Sequence, residues 1–566
     1  MSTNPQSLPD KAAWWQRTWF IAAILFMAVL LNNSELVFTT PLYEADDYAA
    51  NSLQILKAKQ GRETLGNYCR FGFHHPGPAF FYVFGWGELL FFDAARLVPT
   101  PFNGQLIAFY ALCAFFVGAT LALVARNLNR AARGWFIGLA LLFAAWHFGA
   151  VGRFYQFVPG QLGFLTPWPP CLIVLPFLCF LVAAASVAAG NGRDLPLMTL
   201  AGCFLVHGHI AMPLFVVPTT LLAYGVLWQE SGRAKGSRPW KLYHRQHWLA
   251  AATIGLFLLP ITIDLLTAHP SNLQTVVEHL RTGYGGRKGF LQSLFYFLHF
   301  GGYGAYPSGQ PIPAFDAFDA AGLRSFFLLH WRAYALWIAS LFTVIAIRTT
   351  PQPSLEQAWK LRRRLYLILG AAAGLSIVWG CVQEGPMFDY NGLINFAIYY
   401  AWLLVVALSL AVWIQTRCPA PIRIASLTAL ALIVVVAFAR ERRRFRGMGD
   451  GDEQRQFAAA IERALILDPV QPKFLNFDAR ANSQAERIAV YLERRAIQWW
   501  VREDWPLVFG AERILKPGRA DQPIPTSSSS FWRVALHAGP ADTGGRENAV
   551  VLPLNGAFDL VIHPGK

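Results

Sequence analysis

A succession of long apolar runs, broken by short basic segments, constrains this 566-residue chain more than any other feature. A helix needs about 20 consecutive, mainly apolar residues to cross about 30 Å of hydrocarbon. Runs approaching that length fall at residues 14–36, 104–125, 134–150, 169–189, 195–208, 210–228, 249–266, 326–347, 365–383, 393–415 and 424–439. The expected fold is mostly α: a polytopic helical membrane bundle of about eleven crossings.

Charge agrees with this. Asp, Glu, Lys and Arg make up only 14% of the chain, against about 25% in soluble proteins, which excludes a soluble globular enzyme. The net charge is +15. Nucleic acid is excluded as a partner, because that reading needs basic residues clustered on one soluble face. Here residues 1–440 carry 30 Lys and Arg against 17 Asp and Glu, placed between the apolar runs. With the amino terminus in the cytoplasm, the inner segments receive 18 basic and four acidic residues, and the outer segments 12 and 13. The apolar stretch 79–92, interrupted by Glu88 and closed by Asp93, is placed as an interfacial helix. Counted as a crossing, it would reverse every later loop and put most basic residues outside, against the positive-inside rule.

This gives a membrane domain over 1–440, with outer loops at 32–103 and 267–325, and an extracytoplasmic α/β domain over 441–566. The expected location is a bacterial inner membrane, with membrane lipids as partners, a retained first helix and a cytoplasmic amino terminus. In the tail, Phe457, Ile461 and Leu465 line one helix face, and Phe474–Phe477 and Ile497–Val501 read as strands. Between those strands, Ser483-x-x-Glu486 reads as a capping box opening a helix to about Arg495. Phe531–Leu536, Val550–Leu552 and Phe558–Ile562 are further candidate strands. Seven cysteines lie mostly in apolar stretches without a C-x-x-C, so neither a disulfide framework nor a structural zinc site is expected.

The outer loop after the first helix carries the most chemistry. Glu44, Asp46 and Asp47 stand close together, and Arg70, His74, His75 and Tyr82 follow. Carboxylates crowded beside a membrane repel one another and are penalised by desolvation. Such a group suits a general base; the alternative is a solvated acidic turn capping the next helix. His74 and His75 suit hydrogen bonding or positive charge beside a phosphate, or orientation of the Pro76–Pro78 turn. Arg70 could pair with a carboxylate or a phosphate. His207 and His209 flank an outer turn, where hydrogen bonding in a cavity is favoured over metal chelation. His330 and Arg332 lie about one turn inside the outer end of the 326–347 helix, where the guanidinium either binds a lipid phosphate or snorkels to the headgroups. No P-loop, G-x-G-x-x-G, G-x-S-x-G or H-E-x-x-H motif occurs, which counts against ATP-driven transport and zinc proteolysis.

Glu44-x-Asp46-Asp47-Tyr48 followed by His75-Pro76-Gly77-Pro78-Ala79-Phe80-Phe81-Tyr82 resembles the GT-C superfamily of membrane glycosyltransferases, whose members include protein O-mannosyltransferases and lipid A aminoarabinose transferases. Tyr68-x-Arg70-Phe71-Gly72-x-His74, Trp168-Pro169, Leu175-Pro176-Phe177 and Asp504-Trp505 with Phe509-Gly510 are similar to a broad group of bacterial members. Here Asp46-Asp47 replaces an Asp-Glu pair, and Pro-Gly-Pro replaces Pro-Pro-Leu. The resemblance implies transfer of a sugar, with inversion at the sugar carbon, from a polyprenyl-phosphate-linked donor to a glycan, lipid or protein acceptor at the outer face. It implies Asp46 as base with Asp47 and Glu44 in support, phosphate binding by Arg70, His75 and Arg332, and a divalent metal ion on Asp46 and Asp47 as the candidate cofactor. The competing readings are a lipid-linked sugar transporter or flippase and a non-catalytic assembly partner.

Overall fold

A computed structural model describes residues 13–155, 166–235, 238–282, 287–302, 320–347, 355–385 and 387–419, isolated stretches of 421–436, and most of 451–564 apart from 470–471, 478–480, 502–505, 511–512, 515–529, 539–549 and 555–557. In chain order the helices are α1 (Ala13–Asn32), α2 (Ser34–Phe38), α3 (Asp47–Lys59), α4 (Ala79–Gly87), α5 (Pro101–Ala125), α6 (Arg130–Tyr155), α7 (Pro169–Leu172), α8 (Val174–Ala188), α9 (Leu195–Gly208) and α10 (Met212–Lys235). They continue with α11 (Pro239–Leu242), α12 (His244–Thr267), α13 (Asn272–Thr282), α14 (Phe290–Gly302), α15 (Ala320–Ala346), α16 (Glu356–Val382), α17 (Asn395–Arg417), α18 (Gly451–Leu467), α19 (Asn482–Arg494) and α20 (Pro506–Phe509). The chain divides into two compact units: Met1–Asn33, Phe109–Thr262 and Val277–Arg446 form the first, and Ser34–Ala108, Ile263–Val276 and Gly447–Lys566 the second.

In the first unit the apolar runs are helices wherever their residues are described. Among the described residues six segments are long and apolar enough to cross a membrane: Pro101–Ala125, Pro169–Ala188, Met212–Gly232, His244–Thr267, Glu356–Val382 and Asn395–Arg417. The fully described parts of α1 and α15, Thr18–Asn32 and Trp331–Ala346, are apolar as well, and α9, with 14 residues, spans only about 21 Å at the helical rise. Every residue of α8 is buried, as suits a helix apolar on all sides, and it packs against α9, α10, α16 and α17. By contrast α12 exposes Leu256, Leu259 and Leu266.

Polar links in this unit join segments expected on the same side. Arg126 binds Asp194, Lys360 and Arg364 both bind Glu230 (2.7 and 2.6 Å), and the Tyr243 hydroxyl donates to the Gly190 carbonyl (2.8 Å). All of these lie in segments read as inner. Among segments read as outer, His279 Nε2 lies 3.0 Å from Glu384, and the Lys288 N–H donates to the Cys381 carbonyl at 3.1 Å.

The second unit combines the first outer loop with the tail. A five-stranded sheet runs in the order β4-β3-β5-β7-β6, built from β3 (Lys473–Phe477), β4 (Trp499–Val501), β5 (Ser530–Ala538), β6 (Val550–Leu554) and β7 (Phe558–Pro564). The loop supplies the small hairpin β1 (Tyr68–Cys69) and β2 (Phe73–His74). β3 is parallel to both β4 and β5, whereas β7 is antiparallel to β5 and β6. The expected strand–helix–strand piece is β3-α19-β4. Its core is not confined to the tail: Ala49, Ala50 and Leu53 of α3 are buried in one cluster with Phe457, Ile461, Ile488, Leu492 and Trp532. The stretch expected as an interfacial helix is helical from Ala79, and the helix runs on through Glu88. Glu88 opens a π-helical turn, Glu88–Ala94, that continues α4.

Candidate functional site

The acidic turn opens α3. Asp46 occupies the N-cap position with φ 50° and ψ −133°, and its side chain makes no cap hydrogen bond. The capping alternative raised for this turn is therefore not what the Asp46 carboxylate does. A non-glycine residue in that region costs about 1–3 kcal/mol and persists only where its surroundings impose it. Here the Asp46 carbonyl accepts the Ala49 and Ala50 N–H groups at 2.8 and 3.1 Å. Its carboxylate is carried outward, exposed, with Oδ1 accepting the Ser483 hydroxyl of α19. Next to it, Asp47 Oδ1 accepts the Tyr68 hydroxyl at 2.5 Å. Burial and the Asp47 charge both push the Tyr68 phenol upward, so it stays a donor.

A third carboxyl faces this pair. Glu486 of α19 is 2% exposed. Burial first, then the Asp47 and Asp46 charges, push its pKa up to about 8, so it carries a proton at neutral pH. The capping box expected at Ser483-x-x-Glu486 is not formed. The helix begins at Asn482, the Ser483 hydroxyl goes to Asp46, and Glu486 accepts from Asn482 Nδ2 at 3.1 Å. Ser483 thus serves the acidic turn, while Glu486 stays bonded to the first residue of its own helix.

Glu44 has other partners. It is buried, accepts from Ser52 Oγ at 3.2 Å and pairs with Arg494. Arg494 also grips Glu88, which is fully buried and receives Lys59 Nζ at 3.0 Å and Gln105 Nε2 at 2.8 Å. Lys59 in turn reaches Asp93 at 2.7 Å. This is an ion network between loop and tail, and it gives Glu44 an architectural task rather than a share in the Asp46–Asp47 pair. Burial alone would raise the Glu88 carboxyl, but Arg494 and Lys59 outweigh it and hold it below the usual range.

The remaining loop residues sit on or beside the β1–β2 hairpin. Its turn is closed by the Gly72 N–H donating to the Cys69 carbonyl at 3.1 Å, with Gly72 at φ 89°. Arg70 is exposed in that turn, its guanidinium 4.7 Å from the Phe71 ring centroid. His74 is clamped: its N–H donates to Asn272 Oδ1 (2.8 Å), its carbonyl accepts Asn272 Nδ2 (2.9 Å), and its ring Nδ1 donates to the Gly66 carbonyl (3.0 Å). Burial lowers its pKa to about 4, so His74 is neutral and does not offer the positive charge considered for it. His75 is buried, its N–H donating to the Asn67 carbonyl at 2.7 Å. The Tyr82 hydroxyl donates to the Glu63 carbonyl at 2.9 Å. Thus His74 and Tyr82 hold the loop's own backbone, while Asp46 and Arg70 are the exposed members.

Four expected residues belong to the first unit. His207 Nε2 lies 2.8 Å from the Phe257 carbonyl, and His209 Nδ1 accepts the Ala211 N–H at 3.1 Å. His330 is helical, but its side chain lies outside the described residues. Arg332 is exposed, 5.6 Å from the Trp331 ring centroid. Because α15 begins at Ala320, Arg332 is about three turns into its helix, not one. Of the quoted motifs, Asp504 and Trp505 lie outside the described residues.

The chain is similar to ArnT of Cupriavidus metallidurans. Against the crystal structure of ArnT bound to undecaprenyl phosphate, identity is 14% over 95% of this chain and 97% of that chain, with a TM-score of 0.41. Against the apo structure the values are 13%, 95%, 97% and 0.39. No family model matches the sequence, and no curated protein matches it.

Among the described residues no three His, Cys, Asp or Glu side chains gather as a metal-binding group. A divalent ion on Asp46 and Asp47 would take the rest of its shell from water and phosphate oxygens, a donor set that Mg²⁺ accepts. The site residues missed in the sequence are Tyr68, Ser483, Glu486 and Arg494. Ser483 and Glu486 were conspicuous as a capping box, and Tyr68 as part of a motif. Arg494 gave no signal, since nothing local marks a buried cation.

Proposed function

We propose that the protein is a membrane glycosyltransferase that moves a sugar from a polyprenyl-phosphate-linked donor to an acceptor hydroxyl at the outer face of a bacterial inner membrane. The observation that carries this reading is Asp46. It is held in a strained backbone conformation, with its carboxylate exposed, Oδ1 engaged by Ser483, and Oδ2 without a partner among the described residues. Strain of this kind accumulates where function demands a fixed side-chain direction. Apolar helices hold the protein in the lipid that houses the donor's tail.

Asp46 Oδ2 takes the proton of the acceptor hydroxyl as that oxygen attacks the anomeric carbon. The bond from that carbon to the phosphate oxygen breaks, and polyprenyl phosphate departs with the electron pair. A single displacement inverts the anomeric centre. Phosphate is a good leaving group, so one base and neighbouring cations suffice. Arg70, exposed at its hairpin turn, and Arg332, exposed on an apolar helix, are each proposed for phosphate by their own chemistry. Asp47, held by Tyr68, supports the base, and a divalent ion, where bound, would neutralise phosphate charge.

The test is to incubate purified protein with polyprenyl-phosphate glucose or mannose and a membrane lipid extract. The expected result is release of polyprenyl phosphate and labelling of an acceptor. Asp46→Asn should slow release by about 10²–10⁴-fold. Movement of donor across vesicles without release would establish the transporter reading instead.

A further inference from the structure

The second unit joins the acidic turn to the carboxyl-terminal domain through one side chain that directly touches the Asp46 carboxylate. Ser483, the second residue of α19, donates its hydroxyl to Asp46 Oδ1. Its position is set from both sides. Ala485, Ile488, Ala489 and Leu492 of α19 share a core with Ala49, Ala50 and Leu53 of α3. Donor and acceptor are thus mounted on two helices that cannot slide independently without opening that core. The hydroxyl is also free of the capping task its sequence advertises, because α19 starts one residue earlier, at Asn482, with Ala481 at its N-cap.

We infer that Ser483 is a positioning residue for the transfer reaction: it fixes the Asp46 carboxylate through Oδ1 and turns Oδ2 toward the acceptor hydroxyl, which makes the carboxyl-terminal domain part of the active site. This rests on the reading of Asp46 as the base. Asp46 is exposed, and an exposed carboxylate would otherwise sample several rotamers. One charge-assisted hydrogen bond selects among them. The amino end of α19 favours an anion by its dipole. Glu486, one turn later and buried, presents a neutral carboxyl to the same pair, so the approach of helix and acidic turn brings no third negative charge. A base must lie within hydrogen-bond reach of the proton it removes, and a loop carboxylate gains that precision only from a rigid neighbour.

The experiment uses full-length protein in detergent, with polyprenyl-phosphate glucose or mannose as donor and membrane lipid extract as acceptor source. Ser483→Ala should lower kcat by about tenfold, the loss expected for one hydrogen bond to a charged group, and leave KM for the donor and the melting temperature unchanged. Ser483→Thr, which keeps the hydroxyl, should restore kcat, and Ser483→Cys, a weaker donor, should fall between them. In an Asp46→Asn background, Ser483→Ala should cost no more, because the two act as one unit. A wild-type kcat in Ser483→Ala, failure of Thr to restore it, or the same fold-loss with and without Asp46→Asn would overturn the positioning role. Full activity of Asp46→Asn is a separate outcome: it removes the base assignment itself and the positioning role with it.

Discussion

Arg494 grips Glu88 with both terminal guanidinium nitrogens, at 2.7 and 3.1 Å, across 406 residues of sequence. The pair fastens the last helix before β4 to the helical segment that follows α4, and Glu44 completes the clamp from the other side. Removing one partner leaves the other charge buried. Arg494→Met should therefore destabilise the protein by about 3–5 kcal/mol, read as a lower melting temperature of the detergent-purified chain. Adding Glu88→Gln should recover part of the loss. A melting temperature unchanged in Arg494→Met would refute the clamp.

Acid should weaken the same clamp. The Glu88 carboxyl is held below its ordinary value of 4.5 by Arg494 and Lys59. The unfolded chain therefore takes up this proton at a higher pH than the folded one, so the contribution is present above about pH 4.5 and is lost as pH falls through the folded value. Melting curves of wild type and Glu88→Gln, different at neutral pH, should draw together only as pH falls from about 4.5.

Glu486 behaves in the opposite sense. Its carboxyl is raised from 4.5 to about 8, so the folded state retains a proton that the unfolded state has released. Stability from this group is full below about 4.5 and drains as pH rises to about 8. Glu486→Gln should remove that dependence. The difference between variant and wild-type melting temperatures should grow in the variant's favour from pH 5 to pH 8.5, and a constant difference would show that Glu486 is already ionised.

His74 supplies a third pH signature. Its pKa falls from 6.5 to about 4 on burial, so the unfolded chain binds this proton first, and stability drops as pH falls from 6.5 toward 4. His74→Gln should flatten the melting temperature across that interval. An imidazole carbon signal from His74 that titrates near its ordinary value in the folded protein would contradict the buried neutral form.

Close packing in the second unit depends on two glycines. A Cβ on Gly87 would stand 2.5 Å from the Gly104 carbonyl oxygen, and one on Gly104 would stand 2.9 Å from that of Gly87. Backbone cannot yield as a flexible side chain can, so Gly87→Val should cost about 1–3 kcal/mol or more. The same substitution at Gly370, where nothing lies within 4 Å, is the control and should leave the melting temperature within the ordinary surface range.

Much of the architecture was legible along the chain. The apolar runs became helices because hydropathy is a local property, and the polar links of the first unit join segments whose basic residues had put them on one side. The β3-α19-β4 piece and the later strands followed from periodicity. The run 195–208 gives a helix, α9, of only 14 residues, short for a crossing. The acidic turn is legible because its carboxylates are neighbours in sequence, but the supporting role implied for Glu44 is not what its contacts show: two residues from Asp46, it pairs with Arg494 instead.

What the sequence by itself determined was a membrane chain with a succession of apolar runs, a less apolar tail and a loop rich in carboxylates. Only the tertiary structure decided that the tail and that loop share one core, that Arg494 neutralises Glu44 and Glu88, that Ser483 holds Asp46, and that Glu486 keeps its proton. Hydropathy and charge are summed over nearby residues, so they survive in one dimension. Desolvation, ion pairing and a fixed hydrogen-bond direction depend on groups more than 400 residues apart, and no local pattern records which of them will meet.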